Sequence, residues 1–178
     1  MTEKTGLAYI YCNYKSEHQT AINIVGSLLR QLLRGRGVPQ CVVDLYDTHN
    51  NKTSRPKIWE LTTCLKQVIE QFSYVYFIID ALDEYDEGDG VRDVLTSELL
   101  KLVPLPNSHI LVTSRWLSSI ERAFERSIRL EIRATDQDVT KYVEQRIENS
   151  SRLRRPMNED CKLKNDVVET MVEKCQGM

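Results

Sequence analysis

Tyr74-Val75-Tyr76-Phe77-Ile78-Ile79-Asp80-Ala81-Leu82-Asp83-Glu84 is an apolar run that stops abruptly in three carboxylates. It is too short for a helix and lacks a polar–apolar alternation, so it reads as a strand buried on both faces of a parallel sheet. Its acids then fall at the strand's carboxyl end, where open α/β sheets form their ligand crevice. A carboxylate fixed there can hold Mg²⁺ through water, and one a few residues further on can orient a water for attack on a phosphate. The competing reading is a buried strand that runs into a solvated acidic turn. Seven acids lie between Asp80 and Asp93, and Asp86, Glu87 and Asp89, set around Gly88 and Gly90, read as loop solubility. Asp80, Asp83 and Glu84 are the candidates that remain.

Downstream, Val91, Val94, Leu95, Leu99, Leu102 and Val103 recur at helical spacing until Pro104 and Pro106 stop the pattern. Ile110-Leu111-Val112-Thr113-Ser114-Arg115 follows as a second apolar strand that ends in hydroxyls and a cation. An arginine at that end, beside the acidic strand, could reach a terminal phosphate with its planar fork. The alternative is a structural ion pair with Asp80, Asp83 or Glu84. Two strand-end motifs about 30 residues apart, with one helix between them, are more specific together than either is alone.

Upstream, Pro56 opens a helix whose inner face is Ile58, Leu61, Leu65, Val68, Ile69 and Phe72. Residues 40–56 read as a short helix around Val42-Val43-Leu45-Tyr46 and then a loop. Ala21, Ile22, Ile24, Val25, Leu28, Leu29, Leu32 and Leu33 mark an amphipathic helix that Gly35 and Gly37 end. Leu7-Ala8-Tyr9-Ile10-Tyr11-Cys12 is a short β-rich run, and His18 reads as a surface residue.

Toward the C-terminus, Ser127-Ile128-Arg129-Leu130-Glu131-Ile132 alternates apolar and charged residues, the pattern of a strand near a sheet edge. Thr135 or Asp136 caps a helix that turns Val139, Tyr142, Val143 and Ile147 inward. Residues 148–164, with Arg152, Arg154, Arg155, Lys162 and Lys164, read as a solvated loop. Val167, Val168, Met171 and Val172 then mark a last helix. The repeated strand–helix order predicts an α/β fold: a three-layer parallel sheet with crossover helices.

The 178 residues, 41 % hydrophobic and 28 % charged, suffice for one sizeable core, and a single domain is expected. With 24 Lys and Arg against 26 acids and a net charge of −2 there is no bulk electrostatic case for nucleic acid. No apolar stretch approaches a membrane span. Five scattered cysteines without C-x-x-C spacing support neither a zinc site nor a disulfide framework, and point to a reducing, cytoplasmic setting.

The run of hydrophobics, Asp, a small residue, a hydrophobic and then Asp-Glu in Ile79-Asp80-Ala81-Leu82-Asp83-Glu84 resembles the Walker B segment of the NACHT family, the STAND-class P-loop nucleotide switches. Val112-Thr113-Ser114-Arg115 looks like the sensor-1 strand of the same proteins. Tyr9-Ile10-Tyr11-Cys12-Asn13-Tyr14, Ser54-Arg55-Pro56 and Arg129-Leu130-Glu131-Ile132-Arg133-Ala134 are similar to segments of the fungal, nephrocystin-3-like branch. The resemblance covers nearly all of residues 1–178: a partial NACHT domain with its Walker B strand at 74–84, its sensor-1 strand at 109–115 and a C-terminal helical segment at 135–178. Replication-initiator ATPases, by contrast, place Glu directly after the first Asp, where this chain has Ala81.

The resemblance implies Mg²⁺ and ATP as cofactors of the family, self-oligomerisation or effector domains as protein partners, and neither nucleic acid nor membrane. It implies water-mediated Mg²⁺ at Asp80, water orientation by Asp83 or Glu84, and phosphate contact by Arg115. The sequence departs from the family in one respect, having no G-x-x-x-x-G-K-[ST] phosphate loop. The fold is therefore expected without its central P-loop strand, as an N- and C-terminally truncated core whose site roles persist as remnants. The chain alone is expected to be nucleotide-binding deficient and to carry no cofactor. Two alternatives are a non-catalytic protein-interaction module and a competent ATPase whose P-loop comes from elsewhere.

Overall fold

A computed structural model describes residues 4–14, 19–50, 54–85 and 90–175. The order of elements begins with β1 (Thr5–Tyr11), α1 (Ala21–Leu33), α2 (Gln40–Asn50), α3 (Ile58–Ile69) and β2 (Tyr74–Asp80). A 3-10 turn (Leu82–Glu84), α4 (Val91–Leu100), β3 (Ser108–Val112) and α5 (Ser118–Ala123) follow, and then α6 (Asp136–Asn149), α7 (Ser151–Glu159) and α8 (Cys161–Cys175). His18, Asp86, Glu87, Gly88 and Asp89 lie outside the described residues. The chain divides into two compact units, 1–126 and 127–178, where a single domain was expected.

In the first unit the three strands form a parallel sheet in the order β1-β2-β3, with Ala8 opposite Phe77 and Phe77 opposite Ile110. Both crossovers, β1 to β2 and β2 to β3, step across the sheet in the same direction. Right-handed connections made in one direction lay their helices on one face. Accordingly α1, α3 and α4 share one apolar cluster with Ala8, Val75, Phe77 and Ile79. Leu28, Leu65, Leu95 and Leu99 are fully buried in it, each contributing about 1.5–3 kcal/mol by leaving water. Gly6 lies where a Cβ would come within 2.9 Å of Leu32 and Phe72, so α1 and the turn after α3 approach this strand closely.

The expectation that β2 is buried on both faces is corrected by this arrangement. Leu7, Tyr9, Tyr11, Tyr74, Tyr76 and Leu111 are exposed on the sheet's other face, with Leu111 at 58 %. His109 stacks on Tyr76 there, their ring centroids 5.0 Å apart. The described crossovers of this unit both run in one direction, and the face that bears Tyr76 and Leu111 stays exposed.

Local signals set the element ends. Thr20 Oγ1 accepts the Asn23 amide at the start of α1, and Gly35, at φ +72°, follows its end. Pro56 lies just ahead of α3 instead of in its first turn; Lys57 is the cap, and its amide donates to Glu60 Oε2 at 2.7 Å. Asn107, unremarked in the sequence, donates from Nδ2 to the carbonyls of Ile69 (2.8 Å) and Phe72 (2.9 Å) and so ties the end of α3 to the start of β3. Val94, Val103 and Ile22 are exposed, while Leu95, Leu99 and Leu102 supply the buried face of the fourth helix and the turn after it.

In the second unit Thr135 and Asp138 cap α6 reciprocally, each side chain accepting the other's amide, at 3.2 Å and 3.0 Å. Val143, Ile147 and Met157 form a small cluster with Val139, Val167 and Val168, and Tyr142 is exposed. Residues 148–164 are largely helical, in α7 and the start of α8, instead of a loop. The predicted strand at 127–132 is absent: Ile128, Leu130 and Ile132 are exposed and the segment joins no sheet. Alternation alone cannot make a strand, because its backbone N–H and C=O groups need a neighbouring strand to pair with.

Candidate functional site: the carboxyl edge of the sheet

Strand β2 ends at Asp80, and Ala81 then takes a left-handed conformation (φ 53°, ψ 50°) that turns the chain into the 3-10 turn. The only non-glycine residue with positive φ among the described residues thus sits between Asp80 and Asp83. Such a conformation costs about 1–2 kcal/mol for an L-residue and persists only when its surroundings hold it. They do. The Ala81 amide donates to Thr113 Oγ1 at 2.9 Å, the Leu82 amide to the Thr113 carbonyl at 2.9 Å, and the Thr113 amide to the Ile79 carbonyl at 2.9 Å.

These bonds bring the two strand-end motifs to the same edge. Thr113 Oγ1 donates to Asp80 Oδ1 at 2.5 Å. The Arg115 amide donates to Asp83 Oδ1 at 3.0 Å and its Nε to Asp83 Oδ2 at 2.5 Å. The Asp83 side chain is only 5 % exposed, whereas that of Arg115 is 80 % exposed. Burial pushes the Asp83 carboxyl up, but the amide, the guanidinium and the charge of Arg115 outweigh it and hold the group below the usual carboxylate range. The same pairing, with Glu84 adding to it, raises the Arg115 guanidinium.

Arg92, on α4, is the residue that the sequence did not single out. It is buried and donates from Nη2 to the carbonyls of Asp83 (2.9 Å) and Tyr85 (2.6 Å), with Nε at 3.1 Å from the latter. Its planar fork holds the turn that carries Asp83 and Glu84. An arginine inside an acidic stretch was the available signal, masked by the helical pattern around it. Cys12 completes the edge: its amide donates to the Asp80 carbonyl at 2.9 Å, and burial, then the charges of Asp80 and Asp83, push its thiol up to about 11. At neutral pH it is an inert thiol.

Asp83, Glu84 and Arg115 line an open groove of about 570 Å³ together with Tyr14, Tyr85, Arg92, Trp116 and Leu117. Asp80 is not part of its lining. The acidic strand is shorter than expected, ending at Asp80 instead of Glu84, and the following strand spans Ser108–Val112 instead of 109–115. Arg115 therefore lies on a loop beyond the ladder, positioned by Asp83. Among the described residues no group of three or more His, Cys, Asp or Glu could hold a metal ion. A carboxylate at a strand end can meet a hydrated Mg²⁺ through the ion's waters, a mode usual for that ion.

The first unit is thus an α/β fold, a parallel sheet whose carboxyl edge joins acids to an arginine. Residues 1–115 match the family described as "Nephrocystin 3, N-terminal". The chain belongs to that family. A comparison with curated proteins finds no match. Among solved structures, the crystal structure of a DNA replication initiation factor is similar at 14 % identity and a TM-score of 0.33, over 97 % of this chain and 50 % of that one. The chain spans half the length of that structure. No described helix is long and apolar enough to cross a membrane.

Proposed function

We propose that the chain forms part of a nucleotide-dependent signalling switch of the NACHT type, and that the Asp83–Arg115 pair is its resting latch. The supporting observation is the convergence of Asp80, Asp83, Glu84 and Arg115 at one carboxyl edge, with Arg115 held by a carboxylate that a phosphate would have to replace. On this reading Arg115 contacts the terminal phosphate of ATP and Asp80 holds Mg²⁺ through water. The metal would neutralise phosphate charge. Asp83 or Glu84 would orient a water. Self-association or contact with effector proteins would carry the signal.

Without a glycine-rich cradle the contacts left to ATP are few, so affinity should be weaker than about 1 mM, or about −4 kcal/mol. Calorimetric titration of Mg-ATP tests this. Asp83→Ala frees Arg115 and should strengthen binding several-fold, while Asp83→Ala with Arg115→Ala should not. Micromolar affinity of the unaltered chain would overturn the weak-binding expectation and favour a competent ATPase. Equal affinities of all three proteins would sink the latch.

The exposed aromatic face favours a second reading, a protein-contact module with no nucleotide step. Sedimentation with and without Mg-ATP separates the two. Association that needs nucleotide supports the switch; association that ignores nucleotide and is lost in Leu111→Lys supports the module.

A further inference from the structure

Helix α2 has no fully buried residue and rests on the core through Cys41, Val42 and Leu45. Cys41 stands in its first turn. Cys64, 23 positions later, lies within α3 and is 4 % exposed. Their sulfurs are 3.4 Å apart, with the Cys64 thiol directed at Cys41 Sγ, and both are free thiols. A covalent bond needs about 2.05 Å, so closure asks for the sulfurs to approach by only about 1.4 Å. Cys12, the other thiol of this unit, is buried beside Asp80, and Cys161 and Cys175 belong to the second unit.

We propose that Cys41 and Cys64 are a dithiol site that forms a reversible disulfide by exchange with a small-molecule disulfide of the glutathione class. Access decides the order of events. Cys41 is partly exposed and meets the reagent; Cys64 is shielded, and burial followed by the hydrogen bond to Cys41 pushes its thiol up to about 12. The Cys41 thiolate attacks one sulfur of oxidised glutathione, forming a mixed disulfide and expelling one glutathione thiolate. The Cys64 thiolate then attacks Cys41 Sγ and expels the second. The two protons lost by the cysteines end on the two glutathiones, so one disulfide is consumed and one is formed. The shielding of Cys64 makes Cys41 the first site of attack, so glutathionylated Cys41 precedes the internal bond.

The bond would tie α2 to α3 and restrict the unfolded chain. This proposal is independent of the nucleotide reading. The test is to incubate the folded full chain with oxidised glutathione and map peptides by mass spectrometry without reduction. The expected product carries a Cys41–Cys64 linked peptide two hydrogens lighter than its two reduced peptides together, leaves Cys12 unmodified and unfolds at a higher temperature than the reduced chain. Cys64→Ala should arrest at glutathione on Cys41; Cys41→Ser should leave Cys64 unmodified. Stable glutathione on Cys41 of the unaltered chain without linkage, or linkage of either residue to another cysteine, would overturn the proposal.

Discussion

Arg115 grips Asp83 twice, once from its backbone amide and once from its guanidinium, so the loop after β3 is fastened to the turn after β2. The two bonds differ in kind. The amide bond needs only the Asp83 carboxylate, whereas the guanidinium bond needs both side chains and is largely solvent-exposed. Asp83→Ala should therefore cost about 1–2 kcal/mol. Arg115→Ala should cost less, since Asp83 keeps the amide and exposed ion pairs are weak. Denaturant unfolding of both variants checks the order; equal losses would place the stabilisation in the guanidinium contact.

The acid limb of stability should follow the same carboxylate. Asp83 is held below its ordinary value by Arg115, and Glu98, pushed up by burial but pulled further down by Lys101 and Thr62, lies below its own. A folded-state value below the unfolded one gives stability that is present above the unfolded pKa and lost as pH falls through the folded pKa. The unfolding midpoint should hold from pH 7 to about 5 and fall below about 4, where unfolded carboxyls take up protons. Asp83→Asn should flatten that fall. An unchanged acid limb in this variant would contradict the assignment.

Arg92 should be harder to replace than its exposed counterpart. Arg92→Met leaves the buried Tyr85 carbonyl and the part-buried Asp83 carbonyl without their charged donor and should cost about 2–3 kcal/mol. Arg92→Lys should recover only part, because an ammonium lacks the fork that reaches both oxygens. Chemical denaturation reads the difference directly.

Ala81 gives a prediction of opposite sign. Glycine is at ease at φ 53°, so Ala81→Gly should be neutral or stabilise by up to about 1 kcal/mol, the relieved strain exceeding the added chain entropy. Ala81→Val should destabilise, as a β-branched residue fits that region worst. A marked loss of stability in Ala81→Gly would mean that the methyl group packs usefully.

Two neighbours on β3 test the one-sided sheet. Ile110 packs against the buried cluster and Leu111 faces out. Leu111→Lys should stay within about 0.5 kcal/mol and lower the binding of an apolar dye, whereas Ile110→Lys should cost about 2–4 kcal/mol. Similar losses at both positions would show that the second face is also covered.

The parallel α/β fold, the positions of most helices and the gathering of acids and Arg115 at strand ends are legible in the residues alone. Those features rest on local physics: apolar runs of strand length, helical spacing, prolines, and caps such as Thr135. The sequence misread Tyr74-Val75-Tyr76-Phe77 as doubly buried, because a tyrosine counts as apolar in a run yet its hydroxyl tolerates water, and here the tyrosines alternate with the buried residues. It also took Ile128–Ile132 for a strand. Pattern shows which face could be buried, but a strand needs partner backbone groups, and a sheet face needs a helix to cover it. Those are long-range matters. Only the tertiary structure could decide that both crossovers run in one direction, that Arg92 reaches back to the acidic turn, and that Arg115 chooses Asp83 over Asp80, because each depends on which distant segments chain handedness and packing bring together.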